Sequence, residues 1–262
     1  MEKFYQIGGS FFFGDISGRQ KNSLVLFGYE DFDLSATKPS FGAGIRYNFH
    51  RYFAVRTTVN YAFLSQSDAK AYSTSRHSRN LSFRTHLFEL AVVSEVRVAK
   101  CNINSGHSKS SWEYYVFAGI GGFYFNPKAQ YKGQYVALRP LTTEGPGLSP
   151  NTKPYNTFAL ALPVGGGLRL GYGLGSSFFI ELGYRVTNTD YIDDVSTSYY
   201  PQEELLNKRG KASAALSYRG TDPLYPDGRD RGNRFNNDSY FIINLGFTTS
   251  LKSLKPTRFY GR

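Results

Sequence analysis

Eight stretches of the chain read as strands, and in most of them apolar and polar residues alternate with a period of two, the pattern of a strand with one face in each of two environments. Residues 4–13 open the series. In residues 39–49, Phe41, Ala43, Ile45, Tyr47 and Phe49 fall on one face, and Gly42, Gly44, Arg46 and Asn48 on the other. In 52–64, Phe53, Val55, Thr57, Val59, Tyr61 and Phe63 stand against Ala54, Arg56, Thr58 and Asn60. In 81–99, Phe88, Leu90, Val92, Val96 and Val98 stand against Glu89, Glu95 and Arg97. The fifth stretch, 111–129, has no charge between Glu113 and Lys128, and either of its faces suits an apolar environment. The period is cleanest in 155–172, where Leu160, Leu162, Val164, Leu168 and Leu170 alternate with Ala159, Ala161, Gly165, Gly167 and Arg169. Residues 177–187 set Phe178, Ile180, Leu182, Tyr184 and Val186 against Glu181, Gly183 and Arg185, and 239–251 closes the series with Phe241, Ile243, Leu245 and Phe247.

The connections alternate long, short, long, moderate, long, short, long. Long loops are expected at 14–37, 66–80, 128–154 and 188–237, and turns at His50-Arg51, 100–110 and 173–176. An even strand number with this alternation predicts an all-β fold: an eight-stranded antiparallel up-and-down transmembrane β-barrel. Residues 1–251 form the barrel, the long loops lie outside the cell, and both termini return to the periplasm. A strand of about 9–11 residues crosses a bilayer at a tilt. Mean hydropathy is only −0.40, which does not oppose this, because a barrel shows lipid only its alternate residues.

The direction of the faces follows from the charges. Arg46, Arg56, Glu89, Glu95, Arg97, Arg169, Glu181 and Arg185 lie within strands, and no lysine is among them. Confined, bidentate ion pairing favours arginine, whereas a solvated face uses lysine freely. These residues are therefore expected to form an ion network in a filled lumen, of net charge near +2, inside an apolar belt. A soluble barrel of lipocalin type would have the opposite polarity. Glu89 and Glu95 are six residues apart, roughly 20 Å at strand rise, too far to act as a catalytic pair by themselves.

Composition refines the picture. Aromatics are 17% of the 262 residues, which suits girdles at a membrane interface. The net charge of +11 raises nucleic acid as a partner, but no basic helix or RNA-binding motif accompanies it, and none is expected. The lone Cys101 forms no internal disulfide or thiol-based metal cluster, and His50, His77, His86 and His107 have no metal-ligand spacing. Asp190, Asp193 and Asp194 read either as calcium ligands or, more simply, as the footing of a loop. The Gly165-Gly166-Gly167 run lies within a strand, so it gives close approach to large neighbours rather than a phosphate cradle. The long loop 188–237 reads as a surface cap or a partner-binding flap. The uncompensated cations lie elsewhere. His50, Arg51, Lys100 and Lys109 belong to predicted periplasmic turns, and the tail 252–262 carries Lys252, Lys255 and Arg258. They form either an anchor at anionic outer-membrane lipid or a face that docks an acidic partner. No leader precedes the first strand, which for an exported barrel implies a mature sequence or a later start than the natural one.

Residues 79–84 (RNLSFR), 115–129 (YVFAGIGGFYFNPKA), 140–148 (PLTTEGPGL) and 183–200 (GYRVTNTDYIDDVSTSYY) resemble the PorG-like family, small outer-membrane barrels of the type IX secretion system. The resemblance implies a non-enzymatic component of the secretion and gliding machinery. It also implies contact with the periplasmic ring of a lipoprotein and its partner, PorK and PorN, and no cofactor. Two other functions stay in play: a narrow channel for ions or small apolar molecules, and an enzyme using loop acids with His77.

Overall fold

The computed structural model describes residues 1–16, 24–26, 29–32, 37–71, 73–105, 108–148, 153–172, 175–220 and 227–251. Lys252, Lys255 and Arg258 of the basic tail therefore lie outside the described residues. Eight long strands make the body: β1 (Glu2–Phe13), β4 (Lys38–Asn48), β5 (Phe53–Ser67), β6 (Ser82–Ser105), β7 (Ser108–Tyr124), β10 (Phe158–Tyr172), β11 (Ser176–Thr187) and β12 (Ser239–Ser250). Each pairs antiparallel with its chain neighbour in this set, and β1 pairs with β12, so the sheet closes into a barrel. Closure satisfies the main chain inside lipid, where water cannot. The start of β1 and the end of β12 meet at one end of the barrel. Glu2 is opposite Ser250, and Leu251 N–H donates to the Met1 carbonyl at 2.9 Å. The β4–β5, β6–β7 and β10–β11 hairpins close toward this turn end, and the described parts of the long connections fill the opposite, loop end.

The outer surface is a belt of Ile7, Ile45, Val59, Leu90, Val92, Val116, Ile120, Leu160, Leu162, Ile180, Leu182 and Leu245, all exposed. Aromatic rows border it. Toward the loop end, Phe41, Tyr61, Phe88, Tyr124 and Phe158 are consecutive cross-strand partners on five adjacent strands. Toward the turn end, Phe178, Phe247 and Tyr5 continue one row, and Phe49, Phe53, Trp112 and Tyr114 cover the rest. The ten-residue step from Tyr114 to Tyr124 spans about 33 Å along β7, or about 25 Å along the axis at a tilt near 40°, the height of a bilayer's apolar band. Among the described residues no helix is long and apolar enough to cross a membrane. The chain spans with strands.

The fifth stretch is resolved by burial. Tyr115, Phe117 and Phe123 point inward and Tyr114, Val116 and Ile120 outward. Room for the two inward rings comes from β10. A Cβ on Gly165 would sit 2.6 Å from Phe117 Cζ, and one on Gly167 2.5 Å from the Tyr115 hydroxyl oxygen. Gly119 and Gly121 serve otherwise: their close neighbours are the main chain of β6 and Ala91.

Several boundaries differ from the sequence pattern. β7 ends at Tyr124 rather than at residue 129, because Pro127 lacks a ladder donor and Asn126 N–H turns to the Thr85 hydroxyl at 2.9 Å. The expected turn at 100–110 is instead an extension of both strands, so Lys100, Cys101 and Lys109 belong to β6 and β7. A hairpin ladder needs no apolar face once it has left the belt. The loops also hold structure. β2 (Leu24–Leu26) pairs with β3 (Tyr29–Phe32), and β8 (Lys128–Tyr131) pairs with β9 (Gln134–Ala137) and touches β6 at Arg84. Helices α1 (Thr74–Arg79), α2 (Gln202–Arg209) and α3 (Lys211–Ser217) complete the loop end.

Candidate functional site

The lumen is built from the inward residues of the eight strands. Arg46 on β4 and Arg56 on β5 are direct cross-strand partners, a like-charge pair that is unfavourable alone. Glu95 on β6 resolves it, 2.9 Å from Arg46 and 3.0 Å from Arg56, and also takes Arg169 at 3.1 Å. Glu181 holds Arg56 through two bonds of 2.6 and 2.9 Å and accepts the Tyr115 hydroxyl at 3.0 Å. Arg97 and Arg169 share Glu113 at 2.9 and 2.6 Å. Nearer the loop end a second group forms. Glu89 accepts from Asn60 at 2.6 Å and Tyr240 at 2.6 Å, with Arg185 at 3.4 Å.

All eight sequence-expected lumen residues point inward, but they divide into these two groups, with Glu89 and Glu95 in different ones. The expected excess of two positive charges is corrected. Glu113, and Glu2 at 3.3 Å from Arg46, bring the carboxylates to five against five arginines among the described residues. Glu113 escaped the sequence pattern because the inward face of its stretch was undecided. It shares the parity of Tyr115 and Phe117, so fixing that face would have revealed it. Arg46, Tyr115, Glu181 and Glu89 are each at most 2% exposed, and Arg56 packs its guanidinium over the Phe117 ring at 4.8 Å. Eight strands enclose little more than such side chains, and here side chains fill the interior.

The loop end is closed by a cap with its own core. Phe12, Leu64, Phe83, Phe123 and Phe125 of the barrel rim pack with Ile192, Val195, Leu138 and Leu216 from the long connections. The 188–237 connection is thus a packed cap along its described length. Its footing is polar and buried. Asp193 accepts the amides of Ile16 at 2.8 Å and Val195 at 2.9 Å, and Asp238 accepts that of Ile192 at 2.7 Å. Asp194 receives the Tyr155 hydroxyl at 2.7 Å and the Thr143 hydroxyl at 2.5 Å. Glu144 receives the amides of Ser196 and Thr197 and Arg231 at 3.0 Å. Asp68 holds Arg79 at 2.6 Å, and Arg79 also reaches the Arg231 and Asp15 carbonyls. Burial raises the carboxyls of Asp193 and Asp238 well above the usual range, each aided by its acidic neighbours. It pushes Asp190 up to about 7 and Asp194 up to about 6. The two adjacent aspartates spend their oxygens on loop amides and hydroxyls, the footing read from sequence. Among the described residues no three His, Cys, Asp or Glu side chains stand where they could hold a metal ion. His77 is exposed on α1.

The turn end carries the basic residues. His50 and Phe53 exchange main-chain bonds across the tight turn at 3.2 and 3.3 Å, which leaves the side chains of His50 and Arg51 exposed. Arg51 lies over the Tyr52 ring at 4.4 Å. Lys100 is exposed on β6, and Lys109 lies opposite Asn104 in the ladder.

No family model matches the chain, and no curated protein matches it. Solved structures that resemble it are barrels. The N-terminal β-barrel domain of Pseudomonas aeruginosa OprF is 8% identical, with 95% of this chain and 96% of that one covered and a TM-score of 0.38. The outer membrane enzyme PagL is 10% identical, with 96% and 100% covered and a TM-score of 0.37. Ail, the attachment invasion locus protein of Yersinia pestis, is 12% identical in a complex with sucrose octasulfate, with 95% and 97% covered and a TM-score of 0.35. Likeness at this level assigns no activity to the chain.

Proposed function

We propose that this barrel is a non-enzymatic outer-membrane component of the type IX secretion and gliding machinery. In this role it anchors or positions a periplasmic ring of PorK/PorN type. The observation that carries the reading is the division of the molecule into a filled lumen and one free charged end. Ion pairs and aromatic rings occupy the interior, and a packed cap covers the loop end, so the work falls to surfaces. The turn end then matters most, because Arg51 and Lys100 stand there exposed beyond the aromatic border. Short turns are periplasmic in outer-membrane barrels, which supports a periplasmic position for the turn end and these cations. The four segments that resemble the PorG-like family support the same assignment.

The test is co-purification. The protein is solubilised in detergent from its native envelope, and the ring lipoprotein and its partner are expected to accompany it. Charge reversal at Arg51, Lys100, Lys252 and Lys255 should reduce their recovery severalfold while the barrel still assembles. Absence of both ring proteins from the wild-type preparation would overturn the assignment.

A further inference from the structure

Among the described residues, the sheet is open along one side of β6 at the turn end. β6 runs to Ser105, but its neighbour β5 begins at Phe53, opposite Val96. The last bond between the two sides is Arg97 N–H to the Tyr52 carbonyl at 2.8 Å. From residue 98 to 105, β6 has β7 on one side and, among the described residues, no strand on the other. In an antiparallel strand every second residue turns its N–H and C=O to each side, so this edge presents a row of open donors and acceptors. A groove of about 480 Å³, bounded by Arg51, Tyr52, Arg97, Val98, Ala99 and Lys100, lies where β5 would have continued.

We propose that residues 98–105 of β6 take up an extended acidic segment of a periplasmic partner as an added strand. Main-chain bonds to an open edge supply affinity in this mode, and flanking side chains select the occupant. The flanking charge is positive. Arg97 is spent on Glu113 at 2.9 Å, on Asn48 at 2.6 Å and on the Arg51 carbonyl at 2.7 Å. Glu113, the register partner of Lys100, is held by Arg97 and Arg169. Arg51 and Lys100 are left without a carboxylate among the described residues. The register shift between Arg97 and Ala99, together with Lys100, guards the edge against indiscriminate pairing. A second copy would bring two sets of Arg51 and Lys100 into one interface, which disfavours self-pairing. That the partner is periplasmic rests on the functional reading above; the edge and its charge do not.

The sole cysteine, Cys101, lies exposed on this edge and provides a site for a fluorophore on the full chain in detergent micelles. The probe is an eight-residue peptide of alternating Glu and Val, with a Lys/Val peptide and phosphatidylglycerol micelles as comparisons. The Glu/Val peptide should bind saturably and protect alternate amides of 98–105 from hydrogen exchange. The pair Arg51→Glu and Lys100→Glu should weaken it about tenfold, with unchanged heat-modifiable migration of the barrel. Equal binding of the Lys/Val peptide, no protection at 98–105, self-association through the labelled edge, or response to anionic lipid alone would each overturn the proposal. Peptide binding without co-purification of a ring would sink the type IX assignment and leave the edge standing. A co-purified ring that leaves the 98–105 amides unprotected would sink the edge alone.

Discussion

Replacing Glu95 by Gln removes the anion that three buried arginines share. Arg46 and Arg56 are register partners, and among the described residues Glu95 is the carboxylate that pairs with both. After the change Arg56 keeps Glu181 at 2.6 Å and Arg169 keeps Glu113 at 2.6 Å, but among the described residues Arg46 keeps only Glu2 at 3.3 Å as a carboxylate and the Thr248 hydroxyl at 3.4 Å. Arg46 is wholly buried, so it bears most of the loss. Breaking a buried pair by removing one partner costs about 3–5 kcal/mol. Two of the three guanidiniums keep a short bond, so we expect the low end, about 3 kcal/mol. Urea unfolding from lipid vesicles measures it, read through Trp112, the only tryptophan, on the strand beside β6. The slope should be unchanged and the midpoint lower. Combining Glu95→Met with Arg46→Met removes the worst-placed cation with the anion, and should restore a large part of the loss. A cost below about 1 kcal/mol for Glu95→Gln would refute the reasoning, because it would mean that water or rearranged carboxylates replace Glu95 freely.

The cap should respond to pH in a defined direction. The folded-state pKa of Asp190, about 7, and of Asp194, about 6, exceed the unfolded carboxylate value. Their contribution is therefore fully present below about pH 4 and is lost as pH rises toward 7. Hydrogen exchange of the α3 amides, corrected for intrinsic rate, should show a more protected cap at pH 5 than at pH 8, and Asp190→Asn should flatten the difference; equal protection at both would contradict it. Gly167→Val would push a side chain into Tyr115, so it should destabilise the barrel by about 2–3 kcal/mol in the same urea assay, whereas Gly133→Ala, with open space around it but a φ of +83°, should cost only about 1 kcal/mol, from the left-handed backbone. In a planar bilayer the wild-type barrel should show no steady conductance, and a stable open level would contradict a filled lumen.

The sequence by itself carried the barrel. A period of two in most of eight stretches, with arginine and glutamate on one parity of five of them and branched or aromatic residues on the other, determines strand number, most of the facing and eight of the ten lumen charges. It does so because each strand residue has only two directions to point and the two environments differ strongly. Where that contrast fails, the sequence is silent. The 111–129 stretch is aromatic on both faces, and its inward side was decided only by the glycines of β10, a strand more than thirty residues later that leaves room for Tyr115 and Phe117. The charge balance of the lumen followed from that decision, through Glu113. The cap was illegible for another reason. Asp193, Asp238, Glu144 and Arg231 are polar residues in polar segments, and they become buried footings only when connections distant in the chain meet over the barrel mouth. The open edge of β6 is likewise a matter of length. Residues 100–105 read as part of a turn because they lack an apolar face, and only the earlier end of β5 shows that 98–105 are a strand with no second neighbour among the described residues. Periodicity reports the environment of a side chain, whereas register, closure and burial of polar groups depend on which distant segments arrive beside it.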